Sequence, residues 1–350
     1  MSSPSSSAPA PLGVGFLGAG PVTQAIHLPT LARLRETFTV RHVMDVDPTV
    51  AGRVAARVGA RATSDVDELL ADPEVDVVAV CSPHAFHADQ VVAACRAGKK
   101  AVLCEKPFAT DADQARRIAE VAGATRVPVL VGTMHAYDAG WNAALQNSDV
   151  VPHTVRSSIV LPPNPRFEDF ATEVLNRPEF SGAPDAAAAV TGGILGLAVH
   201  DLPLVRQLLA RAGADVWRSL EVVSAEPLAP FGYLVVARAG DITLELHAVM
   251  HGGWNPQWQL TAVGDDDLLE VEFTPSYVHA GSATATTAHA GTRTTHAPAD
   301  HNGYEGEWRH LAAVVRGATP RFGLAHLIDD LEFVLEFARQ SADAVRKDAA

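Results

Sequence analysis

The stretch Val14-Gly-Phe-Leu-Gly-Ala-Gly20 decides the fold of the first part of the chain. A short apolar run ends in glycine, a helical pattern follows over residues 22–35, and a second apolar run covers residues 40–44. A strand, a helix and a second strand in succession indicate a parallel pair joined by a crossover helix. Glycine in the first turn permits a tight bend and lets a ligand approach the backbone.

The alternation of strand and helix continues to residue 133. Further helices are predicted over 48–58, 65–70, 86–97 and 111–122, and further strands over 75–80, 101–104 and 127–131. The run 75–80 is apolar almost throughout, as is typical of a parallel strand that is buried on both faces. We therefore predict an α/β domain over residues 12–133, built as a doubly wound parallel sheet, after a disordered tail over residues 1–11.

Residues 134–350 carry a different pattern and are predicted to form a second, α+β domain. Its strand-like runs lie close together with turn signals between them, which indicates an antiparallel sheet. The predicted strands are 154–161, 216–226, 231–238, 242–250, 257–263 and 268–273. Helices are predicted over 137–145, 197–209, 308–315 and 327–345, with the last helix a candidate to pack back on the first domain. The segments 162–191 and 281–301 are predicted to be long loops near a site.

Composition excludes several classes of function. The 350 residues are 47% hydrophobic and 19% charged, with a formal net charge of −14, so no basic surface for nucleic acid or anionic lipid is expected. No apolar run is long enough to cross a membrane, and the N-terminus does not resemble a signal peptide. The three cysteines are too few and too scattered for a disulfide framework or a zinc site. We expect a cytoplasmic protein without a metal site.

The glycine turn is a candidate dinucleotide site. Gly18 and Gly20 lie between a strand and a helix that begins at Pro21 and Val22, whose N-terminus favours a pyrophosphate. Asp45 ends the second strand, where a carboxylate accepts hydrogen bonds from ribose hydroxyls and repels a 2′-phosphate. We therefore predict NAD in preference to NADP. The alternative is an ordinary strand-to-helix turn in which Asp45 caps the next helix.

Two later turns fall at the same edge of the predicted sheet. Ser82-Pro83-His84 follows the strand over 75–80, and His84 or His87 is a candidate to line the nicotinamide end of the cofactor. The alternative is that His87 only begins a helix.

The turn after the strand over 101–104 carries a candidate catalytic lysine. Glu105-Lys106-Pro107 follows this strand directly, and proline biases the preceding lysine away from helical geometry. Partial burial would lower the pKa of Lys106 and suit it to polarise a substrate oxygen. A surface lysine is the alternative.

These motifs together resemble the glucose–fructose oxidoreductase, inositol dehydrogenase and rhizopine catabolism family (Gfo/Idh/MocA). The resemblance rests on Gly18-Ala-Gly20, Ser82-Pro83, Glu105-Lys106-Pro107, and Gly192-Gly193 leading to His200, and it extends to residues 304–317. It implies a Rossmann domain followed by an open, mostly antiparallel sheet, with dimers or tetramers built on the open face. It also implies oxidation or reduction of a sugar, aminosugar or cyclitol hydroxyl, with Lys106 and His200 as the catalytic acid–base pair.

The chain departs from the family pattern near the catalytic histidine. The family carries an aspartate four residues before this histidine, where this chain has Gly196, and Ala198 replaces a glycine. The arginine that is common in the family after the sixth strand is replaced within residues 134–138, and His135 and Asp138 join Lys106 and His200 as predicted substrate contacts. Asp138 is a candidate to substitute for the missing carboxylate. Asp201 is expected to pair with Arg206 or to cap its helix.

Three functions remain open on the sequence alone. The first is a dehydrogenase in which His200 takes the hydroxyl proton and Lys106 stabilises the developing alkoxide. The second is a redox-neutral epimerase, lyase or glycosidase that retains its NAD, and the third is a catalytically silent NAD-binding protein. Five aromatic residues are candidates either to stack on a sugar or to pack the core: Trp141, Tyr233, Trp254, Trp258 and Tyr277.

Overall fold

The computed structural model describes residues 10–177, 182–183, 185–251, 256–275, 277 and 279–348. Most of the predicted N-terminal tail, residues 1–9, lies outside the described residues, as do residues 178–181 and 184 of the predicted loop over 162–191. Within the described ranges no single helix combines the length and the apolar character needed to cross a membrane. Residues 186–200 and 202–209 meet the criteria of length and composition only as a pair, and that pair is bent by 66°.

A six-stranded parallel sheet in the order β3-β2-β1-β4-β5-β6 forms the first layer system. The strands are β1 (Leu12–Leu17), β2 (Phe38–Met44), β3 (Arg61–Thr63), β4 (Val77–Val80), β5 (Ala101–Glu105) and β6 (Val129–Gly132). Every residue of β1, β4, β5 and β6 is buried, because helices cover both faces of the sheet. The predicted Rossmann architecture is confirmed, and the short strand β3 is added to it.

The helices around this sheet begin and end at recognisable signals. They are α1 (Leu28–Arg33), α2 (Pro48–Val58), α3 (Val66–Ala71), α4 (His87–Arg96) and α5 (Ala112–Thr125). Asp47 caps α2 by accepting from the backbone N–H of Thr49 and Val50, and Gly59 ends it in the left-handed region. The helix predicted over 22–35 is shorter and irregular, because a π-helical turn at Thr23–His27 precedes α1.

A second sheet of eight strands has the order β14-β13-β12-β11-β7-β10-β9-β8. Its strands are β7 (Thr154–Leu161), β8 (Leu220–Pro227), β9 (Gly232–Ala239), β10 (Ile242–Met250), β11 (Gln257–Val263), β12 (Asp267–Glu272), β13 (Thr284–His289) and β14 (Thr292–His296). Only the β7–β10 pair is parallel among these strands, so the predicted mostly antiparallel sheet is confirmed. Burial alternates along β10: Leu244, Leu246 and Ala248 are fully buried, while the residues between them are partly exposed.

The remaining helices are α6 (Ala139–Gln146), α7 (Asn164–Ala171), α8 (Ala186–Gly196), α9 (Leu202–Leu209), α10 (Gly303–Val315) and α11 (Leu324–Asp348). Helices α6, α8 and α11 pack against the second sheet. Helices α10 and α11 also return to the first sheet. Trp308 and Leu311 of α10 join the core of Val14 and Phe16, and Leu327 of α11 packs into the neighbouring cluster.

Four sequence predictions about local structure were wrong. The predicted loop over 162–191 contains α7 and the start of α8, which the alanine run after Asp185 favours. The loop predicted over 281–301 contains the β13–β14 hairpin, whose threonines suit strands. The predicted strand over 216–226 begins with a 3₁₀ turn over 216–219. The helix predicted over 197–209 is interrupted, since a 3₁₀ turn at Ala198–His200 precedes α9.

Candidate active site

The glycine turn after β1 has two glycines with different structural requirements. Gly18 has a φ of +100°, and a Cβ there would lie 2.7 Å from the backbone of Cys81 and Ser82. Only glycine satisfies both conditions. A Cβ on Gly20 would meet no protein atom within 4 Å, so the space beside this residue is open. The hydroxyl of Thr23 donates to the carbonyl of Gly18 at 2.7 Å and fixes the turn. An open surface of this kind fits a pyrophosphate at the start of a helix.

Asp45 stands at the end of β2, next to this turn. Its Oδ2 accepts from the backbone N–H of Ala19 at 2.8 Å, and its Oδ1 accepts from that of Asp47 at 3.0 Å. The neighbouring Val46 is 84% exposed. The alternative that Asp45 caps the next helix is wrong, because Asp47 fills that role. Asp45 is therefore fixed at the place where the sequence predicts a ribose contact.

His87 connects the two turns at the edge of the sheet. Its Nδ1 lies 2.8 Å from the carbonyl oxygen of Pro107, and its Nε2 lies 2.7 Å from that of Ser82. The ring is buried at the first residue of α4. Its two nitrogens therefore face the backbone of the predicted cofactor loop and of the Glu-Lys-Pro turn. His87 thus braces two segments of the predicted site in addition to beginning a helix.

His84 lies on the 3₁₀ turn before α4, with its ring centroid 5.4 Å from that of His87. Loss of hydration and the positive charge of Lys106 lower the pKa of His84 to about 4. His84 is therefore neutral at physiological pH.

Glu105 holds the Glu-Lys-Pro turn from inside the protein. Its Oε1 accepts from Nε2 of His27 at 3.0 Å, and its Oε2 accepts from the backbone N–H of Lys106 at 3.2 Å. Trp308 Nε1 donates to Nδ1 of His27 at 3.1 Å, which assigns the proton of the neutral ring to Nε2. Burial raises the pKa of Glu105, but the hydrogen bond from His27 and the charge of Lys106 outweigh it and bring the pKa below its ordinary value.

Sequence reasoning missed His27 and Trp308. Both are fully buried, and they come from distant parts of the chain. A histidine within the apolar helical pattern after Gly20 was the only signal available, and it did not identify a partner.

Lys106 is half-buried at the carboxyl end of β5, and its peptide bond to Pro107 is cis. Burial lowers the pKa of its ammonium group, while the carboxylate of Glu105 opposes this shift. Lys106 lines a small cavity together with Thr133, Val199 and Pro203. The lysine thus faces residues that flank His200 in sequence.

His200 comes from the second part of the chain, at the end of the 3₁₀ turn before α9. It is 7% exposed, and its Nδ1 has no hydrogen-bond partner among the described residues. Burial, the charge of Lys106 and the proximity of His135 lower the pKa of His200 well below its ordinary value. Lys106 and His200 are therefore close enough to influence each other electrostatically, and His200 is neutral at physiological pH.

A second histidine lies beside His200. The ring centroids of His135 and His200 are 6.2 Å apart, and Nδ1 of His135 lies 3.2 Å from Oδ1 of Asp201. The same carboxylate accepts from Nε1 of Trp258 at 2.8 Å and from the hydroxyl of Ser157 at 2.5 Å. The expectation that Asp201 pairs with Arg206 or caps its helix is wrong. The interruption before α9 turns Asp201 inward, and it makes no side-chain capping hydrogen bond there.

Arg206, the partner that the sequence suggested for Asp201, pairs instead with Asp330 of α11.

Neither Gly196 nor Asp138 supplies a free carboxylate near His200. A Cβ on Gly196 would lie 3.0 Å from the ring of Phe231, so an aromatic side chain covers this position. Asp138 caps α6 through Gly140 and Trp141, and both of its oxygens accept from the backbone N–H of Ala283. Burial raises the pKa of Asp138 despite these hydrogen bonds. Asp138 nevertheless lines one small cavity together with His135.

The five candidate aromatic residues differ in their surroundings. Trp141 and Tyr233 are fully buried in the core of the second sheet, and Trp258 packs against His135 with ring centroids 4.5 Å apart. Tyr277 is partly exposed and stacks on Phe167. Trp254 lies outside the described residues. Core packing therefore explains Trp141 and Tyr233.

Comparison with known proteins agrees with this geometry. Residues 12–133 match the Gfo/Idh/MocA family model, described as an oxidoreductase family with an NAD-binding Rossmann fold. The similarity to the Gfo/Idh/MocA family model thus covers the first domain of the chain. An inositol 2-dehydrogenase of Saccharopolyspora erythraea is 40% identical over 129 residues, which are 37% of this chain and 38% of that protein. The alignment thus spans less than half of that relative's length.

Solved structures share the fold over nearly the whole chain. A 3-ketoreductase from Actinomadura kijaniata, in complex with NADP and TDP-benzene, has a TM-score of 0.69 at 23% identity, covering 93% of this chain and 96% of that one. A UDP-N-acetylglucosamine 3-dehydrogenase from Acidithiobacillus ferrooxidans has a TM-score of 0.71 at 18% identity, covering 95% and 98%. At these identities the likeness establishes the two-part architecture.

Proposed function

We propose that this protein is an NAD(P)-dependent oxidoreductase that transfers a hydride between a nicotinamide and a secondary hydroxyl or carbonyl group. The observation that carries the proposal is that Lys106 and the turn that contains His200 lie together, because Lys106 lines one cavity with Val199 and Pro203. They come from different parts of the chain, and Lys106 follows a strand of the nucleotide-binding sheet. A cationic group beside a neutral imidazole suits the removal of a hydroxyl proton and the stabilisation of the alkoxide that forms.

The cofactor is proposed to lie along the carboxyl edge of the first sheet. Gly18, Gly20, Pro21 and Val22 would hold its pyrophosphate, and Asp45 would accept hydrogen bonds from the ribose. The open space beside Gly20 supports this placement. Ser82, Pro83, His84, His87 and Glu105 are proposed to shape the nicotinamide end with Lys106. When bound, the nicotinamide ring exchanges a hydride with the substrate carbon.

NAD is proposed in preference to NADP. Asp45 carries a negative charge where NADP would place its 2′-phosphate, and the residue beside it is the uncharged Val46. The 3-ketoreductase of similar fold was crystallised with NADP, so the preference is tested directly by comparing the two cofactors.

The residues of the chain divide the proton chemistry between them. Because the pKa of His200 is well below its ordinary value, its ring is neutral and ready to accept the hydroxyl proton at physiological pH. The ammonium group of Lys106 stabilises negative charge on the substrate oxygen. Glu105 fixes the backbone that carries Lys106. In the reduction direction the same groups return the proton to the substrate.

A sugar, aminosugar or cyclitol is the proposed substrate, with His135 and Asp138 as further contacts. The relatives act on such molecules by name: inositol for the curated relative and a UDP-aminosugar for one structural neighbour. Partly exposed residues along β10 leave a sheet face on which a homodimer or homotetramer could form, and a cytoplasmic location is proposed.

The decisive experiment measures cofactor binding and turnover separately. NAD and NADP binding is followed by calorimetry, and turnover is followed as NAD(P)H absorbance with a panel of polyols, aldoses, cyclitols and nucleotide-linked sugars. We expect Lys106→Ala to keep cofactor binding and to lose about 10²–10³-fold in kcat. Lys100→Ala is the matched control, because Lys100 precedes β5 at the opposite edge of the sheet and pairs with Asp76.

Three outcomes separate the candidate functions. Unchanged turnover in Lys106→Ala contradicts the proposed role of this residue. Cofactor that stays bound through purification, with conversion of substrate but no net NADH, indicates a redox-neutral enzyme. Tight cofactor binding with no conversion of any substrate indicates a silent binding protein.

A further inference from the structure

The buried pair of His135 and Asp201 has the geometry of an acid–base dyad. Asp201 is fully buried and His135 is 3% exposed, and Nδ1 of the ring lies 3.2 Å from the carboxylate. A carboxylate accepts hydrogen bonds only, so Nδ1 of His135 is the donor and Nε2 carries the basic lone pair of the neutral ring. Trp258 and Ser157 also donate to this carboxylate and fix its orientation.

The surroundings hold the ring of His135 in one orientation. Phe273 stacks on it with centroids 3.8 Å apart, and Trp258 meets it edge to face. The ring also lines a small cavity with Thr274 and Tyr304, so it is not enclosed on every side. A histidine that only fills the core has no need of an open side. This arrangement instead prepares the ring to hold a positive charge.

His200 needs such a neighbour because nothing at position 196 assists it. Its low pKa makes it a weak base, so a proton that it accepts is lost again readily. Its Nδ1 is buried without a partner among the described residues, and an imidazole can accept a proton at one nitrogen while releasing one from the other. His135 is the neighbouring ring, with its centroid 6.2 Å away, and one bridging water molecule would carry the proton between the two rings.

We propose that His135, oriented by Asp201, takes up the proton that His200 removes from the substrate hydroxyl. This inference rests on the proposed function. The substrate O–H bond breaks as an N–H bond forms on His200, while a hydride leaves the carbon that bears this hydroxyl group for the oxidised nicotinamide. His200 then loses a proton and Nε2 of His135 gains one, with the charge balanced by Asp201. The dyad thus supplies a carboxylate that position 196 does not provide. This carboxylate belongs to Asp201, one residue after His200, whereas Gly196 lies four residues before it.

The ionisable groups near the two rings come from several elements. They are Lys106 beside His200, Asp138 beside His135, Asp201 itself, and Tyr233 beside Asp201. The charge of Lys106 disfavours a proton on His200, whereas Nδ1 of His135 donates a hydrogen bond to the carboxylate of Asp201.

The kinetic test uses variants of the full-length protein. We expect kcat to fall about 10²-fold or more in His135→Gln and His135→Gly, and to fall and change its pH profile in Asp201→Asn. Added imidazole should restore turnover in His135→Gly. The matched control is His42→Gln, because His42 forms a comparable buried pair with Asp72 at 3.0 Å in the first sheet. The kcat and the pH profile of His42→Gln should not change. Urea unfolding checks that each variant is folded.

A second measurement does not depend on turnover. Histidine labelled with ¹⁵N reports the protonation and tautomer of each ring during a pH titration. We expect Asp201→Asn to move the titration of His200 as well as that of His135, and His42→Gln to move neither. An identical His200 titration in wild type and Asp201→Asn overturns the inference, as does a folded and inactive His135→Gly that imidazole does not rescue. If wild type converts no substrate, the proposed function fails, and the titration alone decides whether the rings share a proton.

Discussion

The two glycines of the first turn allow stability and cofactor binding to be separated. In Gly18→Ala the new side chain must adopt a φ of +100° and would place Cβ 2.7 Å from the backbone of Cys81 and Ser82. Left-handed geometry costs about 1–2 kcal/mol, and forcing an extra carbon into a packed region costs about 1–3 kcal/mol. We therefore expect the free energy of unfolding to fall by about 2–5 kcal/mol. The measurement is urea denaturation without cofactor.

Gly20→Ala should behave in the opposite way. Its Cβ would meet no protein atom within 4 Å, so we expect the unfolding free energy to change by less than about 0.5 kcal/mol. The same carbon would occupy the space proposed for the pyrophosphate. Loss of one hydrogen bond to a charged group costs about 1.5–3 kcal/mol, which corresponds to roughly 10–150-fold weaker binding. Calorimetric titration with NAD measures this loss.

A control glycine shows that the unfolding assay detects small effects. Gly123 lies inside α5, and a Cβ added there would meet no neighbouring side chain or packed element within 4 Å. Gly123→Ala should therefore stabilise the protein by about 0.5–1 kcal/mol. The reasoning is refuted if Gly20→Ala lowers stability as much as Gly18→Ala does, or if it leaves the Kd for NAD unchanged while binding is measurable in wild type.

Three further predictions concern the buried ionisable groups. His27→Leu removes the hydrogen bond to Glu105 and leaves a buried carboxylate without this partner. The free energy of unfolding should therefore fall by about 3–5 kcal/mol. Urea denaturation at pH 7 measures the change, and a value below about 1 kcal/mol contradicts the role of this pair. The folded pKa of His200 is lowered, so its contribution to stability is complete above about pH 6.5 and is lost as the pH falls below that value. His200→Gln should therefore flatten the pH dependence of the unfolding free energy below about pH 6.5, and an unchanged slope argues against burial as the cause. The folded pKa of Lys106 is also lowered, so keeping its side chain charged near neutral pH costs stability. Lys106→Met should therefore raise the melting temperature, which scanning calorimetry measures. A lower melting temperature would contradict the desolvation assigned to this lysine.

The sequence was sufficient for the first sheet because its signals are local. The run that forms β4 is apolar without interruption, and Pro48 follows the capping Asp47 at the start of α2. Each of these features depends only on neighbouring residues. The positions of Lys106 and His200 came from motifs, which mark residues at the ends of elements.

The partners inside the site could not be predicted in the same way. The sequence predicts that Asp201 pairs with Arg206 or caps a continuous helix, but a 3₁₀ turn at residues 198–200 interrupts that helix. The contacts of His27 with Glu105 and Trp308 join residues 78 and 281 positions apart, which no local pattern reveals. Packing decides which buried polar groups pair over long distances in the sequence. The sequence therefore indicated the reactive residues but not the buried residues that hydrogen-bond to them.

Helix α10 follows the second sheet in sequence, yet Trp308 reaches the core of the first sheet and contacts His27. A fragment that ends near residue 133 would lack Trp308 and would therefore expose apolar residues of the first sheet to solvent. Recombination between relatives at that point would place Trp308 of one parent protein against the first sheet of the other. The residues around the Lys106 turn would then come from two different parent sequences. Selection must then act on the early and late segments together, and successful chimeras should exchange residues 303–348 along with the amino-terminal half.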